Sequence, residues 1–147
     1  MADLIDGAKR KIWAIANSIV DINPNADIHM ALIGYRDEGD EYVVRSYDMS
    51  RDIEGLYGNL IQFAADGGGD TPESVNEALD AAINGLKWSK DDSVRRIVFL
   101  VGDAPPKVYA GEPQYPELAA RAAARGIVIN PVLCGEDDQA RRTWDTI

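Results

Sequence analysis

Apolar positions fall along this chain in two rhythms. Leu4, Ile5, Ala8, Ile12, Ile15, Ala16 and Ile19 recur at helical spacing, with Lys9, Arg10 and Lys11 on the other side. That spacing predicts an amphipathic helix from near Asp3 to about Val20. Asn23-Pro24-Asn25 then turns the chain. Ile28 to Tyr35, apolar on both faces except at His29, reads as a strand. Glu38-Gly39-Asp40-Glu41 reads as a hairpin connection into a shorter strand, Tyr42 to Tyr47. Two strands so close in sequence cannot be parallel neighbours, so this pair is expected to be an antiparallel edge. Helical spacing returns at Ile53, Leu56, Tyr57, Leu60, Ile61 and Ala64, and again at Val75, Ala78, Leu79, Ala82, Ile83 and Leu86. Ahead of the latter, Pro72 suits a first helical position and Thr71 its N-cap.

The organising stretch is Arg95-Arg96-Ile97-Val98-Phe99-Leu100-Val101-Gly102-Asp103-Ala104-Pro105-Pro106. Its apolar run predicts a central strand buried on both faces. The Gly-Asp and Pro-Pro pairs end it sharply and leave a carboxylate at its carboxyl end, where open α/β sheets bind ligands. A helix around Leu118, Ala119, Ala122 and Ala123 should stop at Gly126. Ile127 to Leu133 reads as another buried strand, with Pro131 marking an edge or a bulge. A last helix begins near Asp137. Strands alternating with helices predict an α/β fold over 1–147, a single domain with a doubly wound, mostly parallel open sheet and helices on both faces. Such a unit opens with a strand and this chain opens with a helix, so the fold is expected to be truncated at both ends.

Charge narrows the partners. Fifteen basic and 25 acidic residues give a formal net charge of −10. That excess repels phosphate backbones and anionic lipid surfaces, and argues against nucleic-acid or membrane binding. It is compatible with a cation or a basic protein partner, and equally with plain solubility. Cys134 is the single cysteine, so no disulfide or thiolate cage can form within the chain. No apolar run reaches transmembrane length.

Candidate chemistry centres on Asp103, which could ligate a hard cation such as Mg²⁺ or Ca²⁺. Its bland alternative is a turn-capping aspartate. Gly67-Gly68-Gly69-Asp70-Thr71 invites a phosphate-loop reading. Asp70 stands where such a loop needs a lysine, and its charge repels phosphate, so that reading fails. Thr71 remains an N-cap candidate whose hydroxyl could also reach a cation near Asp103. Asp37 ends its strand as Asp103 does, which makes it an outer-shell candidate or a surface aspartate paired with Arg36 or Arg45. His29, alone in an apolar strand, is expected in the core, and no nucleophilic triad can be assembled around it.

Taken together, Gly67-Gly68-Gly69-Asp70-Thr71-Pro72-Glu73-Ser74, Val98-Phe99-Leu100-Val101-Gly102-Asp103-Ala104-Pro105-Pro106 and Gly34-Tyr35-Arg36-Asp37 resemble the von Willebrand factor type A domain, in its bacterial form. The resemblance implies a doubly wound sheet carrying a metal-ion-dependent adhesion site on its top edge. In that site Thr71 matches the threonine ligand and Asp103 the aspartate, while Asp70 and Asp37 are outer candidates. It implies binding rather than catalysis, with a partner protein's acidic residue completing the shell of Mg²⁺ or another divalent cation. The family's Asp-x-Ser-x-Ser loop and first strand have no counterpart here, and the last strand is missing too. A hydroxyl and one carboxylate hold Mg²⁺ weakly or not at all, because that ion gives up water reluctantly. The absent first strand would lie mid-sheet. Its loss predicts either two unpaired edges, prone to self-association, or direct pairing of Ile28–Tyr35 with Ile97–Val101. Two other readings stand beside this one. One is a Mg²⁺-dependent phosphatase of the haloacid dehalogenase kind, which lacks its Asp-x-Asp nucleophile here, and the other is a fragment without activity.

Overall fold

The computed structural model describes residues 2–63 and 73–147, with the side chains of residues 2–5 left aside. Helix α1 (Ala2–Ile22) leads to strand β1 (Met30–Tyr35) and strand β2 (Val44–Ser50), followed by helix α2 (Ile53–Gln62). Helix α3 (Val75–Asp80) widens into a π-type turn over Ala81–Gly85 before strand β3 (Arg96–Gly102). Helix α4 (Tyr115–Ala124), strand β4 (Ile127–Leu133) and helix α5 (Asp138–Trp144) complete it.

The molecule is mixed α/β, with two separate two-stranded sheets in place of one doubly wound sheet. β1 and β2 form the expected antiparallel hairpin, with an irregularity between Met30 and Leu32. β3 and β4 run parallel, from Arg96 beside Ile127 to Gly102 beside Leu133. No described strand lies between β1 and β3. A side chain spans that interval instead: the Tyr35 hydroxyl donates to the Val101 carbonyl at 3.0 Å. Of the two outcomes expected for the sheet, the ladders are therefore left with open edges, and β1 does not pair with β3.

Local chemistry sets the ends of the elements. Asp52 caps α2 by accepting from the Gly55 amide at 2.9 Å, and Asp137 caps α5 by accepting from the Ala140 amide at 2.6 Å. Gly126 follows α4 with φ +66°, the left-handed conformation that ends helices. The third helix opens later than its sequence suggests. Glu73 is committed to a bridge with Pro106, so Ser74 takes the cap position and the helix begins at Val75. Thr71 and Pro72, the expected cap and first helical residue, lie outside the described residues. β1 also begins two residues late, at Met30. This leaves His29 outside the strand and exposed, where Arg51 donates to its ring at 3.0 Å. The expected core histidine is a surface residue.

The core belongs to the second half of the chain. Val75, Leu79 and Ile83 pack with Leu100, Leu118, Ile127 and Trp144, all nearly or fully buried. They close one face of the β3–β4 sheet beneath α3, α4 and α5. On the other face Ile97, Phe99 and Val128 remain 40–57% exposed. Around β1, α1 and α2 meet through Trp13 and Tyr57, whose ring centroids lie 4.2 Å apart.

Candidate metal centre

Asp103 follows β3 directly and is half-buried. The strand end is held tightly. The Cys134 amide donates to the Gly102 carbonyl at 2.7 Å, and the Trp144 indole donates to the Ala104 carbonyl at 3.1 Å. Gly102 has no room for a side chain, because a Cβ there would meet the Trp144 ring at 2.9 Å and crowd the Tyr35 hydroxyl. These contacts fix where the next residue projects. The Asp103 carboxylate makes no hydrogen bond or ion pair with any described residue. Its charge is felt nearby: burial first, then the charges of Glu73 and Asp103, push the Tyr35 hydroxyl above its ordinary pKa. Burial, then Asp103, likewise raises the Cys134 thiol.

Asp37 sits at the end of β1 and is the one buried charged residue among the described residues, with 7% of its surface exposed. Its carboxylate accepts from Lys107 Nζ at 2.6 Å, from the Tyr109 hydroxyl at 2.5 Å and from the Glu38 amide at 2.8 Å. It is an anchor more than a surface aspartate. Arg45 pairs with Glu41 at 3.0 Å, and the Arg36 guanidinium lies over the Tyr42 ring.

The loop after Asp103 is strapped down along its length. The Glu73 amide donates to the Pro105 carbonyl at 3.0 Å, and the Lys107 amide donates to the Glu73 carbonyl at 2.7 Å. Buried Asn76 donates to the Lys107 carbonyl at 3.1 Å and to Gln114 at 3.0 Å. Ser74 and Tyr109 join their hydroxyls at 3.3 Å. Asp37, Glu73, Asp103 and the 105–109 loop thus belong to one cluster at the carboxyl ends of β1 and β3. Sequence reasoning missed Ser74, Asn76, Lys107 and Tyr109. Only the proximity of a polar Ser-x-Asn pair to an apolar helix could have drawn attention to them.

Thr71 and Asp70, the other two candidate ligands, lie outside the described residues. Among the described residues no group of three His, Cys, Asp or Glu side chains could hold a metal ion. Asp103 is one carboxylate and Asp37 is already neutralised by Lys107, so these two alone do not make a shell for Mg²⁺, which demands six oxygen ligands including water. Among the described residues no helix is long and apolar enough to cross a membrane. Compared with protein-family models, with curated proteins and with solved structures, the chain matches none.

Proposed function

We propose that this chain is a protein-binding module of the von Willebrand factor type A kind, with an incomplete metal-ion-dependent adhesion site. Its strand order would be β2, β1, β3, β4, with no described strand between β1 and β3. α2 packs on β1, α4 and α5 pack on β4, and α3 lies against β1 while its apolar side chains enter the core with β3 and β4, a layering that supports that reading. So does the Tyr35 side chain reaching across the interval to Val101.

One observation carries the proposal. The Asp103 carboxylate stands at the carboxyl end of a parallel strand, half-buried and free of protein partners among the described residues, within loops otherwise tied together by hydrogen bonds. Thr71 and Asp103 would be ligands, Asp70 an outer group, and Asp37 the anchor that orders the loop around them. A divalent cation held this way keeps most of its water and binds weakly until a partner's carboxylate joins the shell.

Mn²⁺ titration followed by NMR line broadening tests the reading. Broadening should centre on residues 102–104 and 134–135 at millimolar metal and disappear in Asp103→Ala. Equal broadening in that variant, or broadening centred elsewhere, rejects the site.

A further inference from the structure

At the other end of β3 and β4, about 20 Å from Asp103 by strand length, the surface opens into a cleft of about 1100 Å³. In a chain of net charge −10, this cleft gathers five of the 15 cationic residues, Lys87, Lys90, Arg95, Arg96 and Arg125, against a single carboxylate, Asp92. The cations divide into two kinds. Arg96 donates to the Ser89 carbonyl at 2.8 Å and the Asp91 carbonyl at 2.9 Å, and so shapes the rim. Arg125 is tied to the Ile83 carbonyl, and Lys87 lies 3.8 Å from Asp48. Lys90 and Arg95 are exposed and make no hydrogen bond or ion pair with any described residue.

Apolar surface lies between these charges. Ile97 and Val128 are 44% and 57% exposed, on the face of the sheet away from the buried core. Trp88 forms part of the wall, its indole fixed by donation to the Ala82 carbonyl at 2.7 Å. The cleft exceeds the about 300–1,000 Å³ of ordinary small-molecule pockets. We propose that it docks a short acidic peptide segment carrying apolar side chains, with carboxylates at Lys90 and Arg95 and apolar groups on Ile97 and Val128. Charge complementarity selects the sign of the partner. The apolar floor favours a peptide over a nucleic acid, whose phosphates would extend beyond the cleft onto an acidic surface.

The probe is a fluorescein-labelled twelve-residue peptide alternating Glu with Val and Leu, read by anisotropy and by amide shifts. Saturable binding is expected, weakening on the order of tenfold between low and moderately high salt. Shifts should concentrate at residues 87–97 and 125–130. Lys90→Glu with Arg95→Glu should weaken binding at least on the order of tenfold, Lys90→Gln with Arg95→Gln less, and Asp103→Ala not at all. Both pairs are exposed, and unchanged circular dichroism confirms their fold. Equal binding of a Lys-for-Glu peptide, insensitivity to the paired variants, or shifts elsewhere overturns the proposal. Tighter binding of a thymidine dodecamer would assign the cleft to nucleic acid instead. Self-association with the same salt and charge-reversal sensitivity would assign it to a second copy, and either result also overturns it.

Discussion

The two sheets are built from similar apolar strands yet solve burial differently. β3–β4 closes one face against three helices, with Leu79, Ile83 and Leu118 no more than 1% exposed. β1 has no fully buried residue, and every position from Met30 to Tyr35 is half-buried. Its half relies on aromatic packing. Phe63 sits so close to Gly34 that a Cβ would come within 2.6 Å of its ring, and the Tyr42 and Tyr47 rings lie 6.4 and 6.2 Å from it. An apolar strand becomes a stability element only when a second layer covers it, because the hydrophobic contribution scales with area removed from water. Here the second half has that layer and the first has part of it.

The largest test sets one half against the other. Leu118→Ala empties a fully buried site beneath β4 and should cost about 3 kcal/mol. Leu32→Ala, at a half-buried site in β1, should cost about 1 kcal/mol, since less area is returned to water. Urea denaturation measures both. Equal costs would mean that the two halves are equally well packed.

The next test concerns what joins the halves. Asp37 at the end of β1 is paired with Lys107 at 2.6 Å in the loop after β3. Removing one partner of a buried pair typically costs about 3–5 kcal/mol. The Lys107 side chain keeps 27% of its surface in water, so its charge stays partly solvated when Asp37 is removed. Asp37→Ala should therefore cost about 2 kcal/mol, less than the full value. Hydrogen exchange in that variant should rise in β1 and β2 before it rises in β3 and β4. A uniform rise would show that the halves unfold as one unit.

The second half was the more legible in sequence, and for a physical reason. The position of the Ile97–Val101 strand, the Gly126 stop and the helix start near Asp137 are local signals, and local signals set where elements begin and end, although the strand expected to be buried on both faces leaves Ile97 and Phe99 exposed. The β1–β2 hairpin was legible from chain length alone. The join between the sheets was not. Periodicity shows that a strand is apolar but not which neighbour it pairs with, so open edges and a direct pairing of β1 with β3 were both expected, and the Tyr35 contact across the interval was not. Asp37 was recognised as a strand-end carboxylate, but its partner Lys107 lies 70 residues away. No local pattern encodes such a contact. His29 misled because its flanking residues are apolar, although the ladder starts one residue later.

The smallest effect comes from a carboxylate on the border between the halves. Glu77 lies in the first turn of α3, and neither of its buried carboxylate oxygens has a partner among the described residues. Burial, with Glu112, Glu38 and Asp80 adding repulsion, raises its pKa above the ordinary 4.5. The folded chain therefore holds this proton to a higher pH than the unfolded chain does. As pH rises through the window from 4.5 to the raised value, the unfolded state releases the proton first, and stability falls. Above that window the loss is complete and constant. Glu77→Gln keeps the shape and cannot ionise. It should raise the melting temperature slightly at neutral pH and leave it unchanged below 4.5, where both side chains are neutral. A gain of the same size at both pH values would trace the effect to packing, and a loss at neutral pH would mean that the ionised carboxylate is held by a favourable partner. The first two tests probe what covers and joins the sheets. This one asks whether the border between them was built to carry charge.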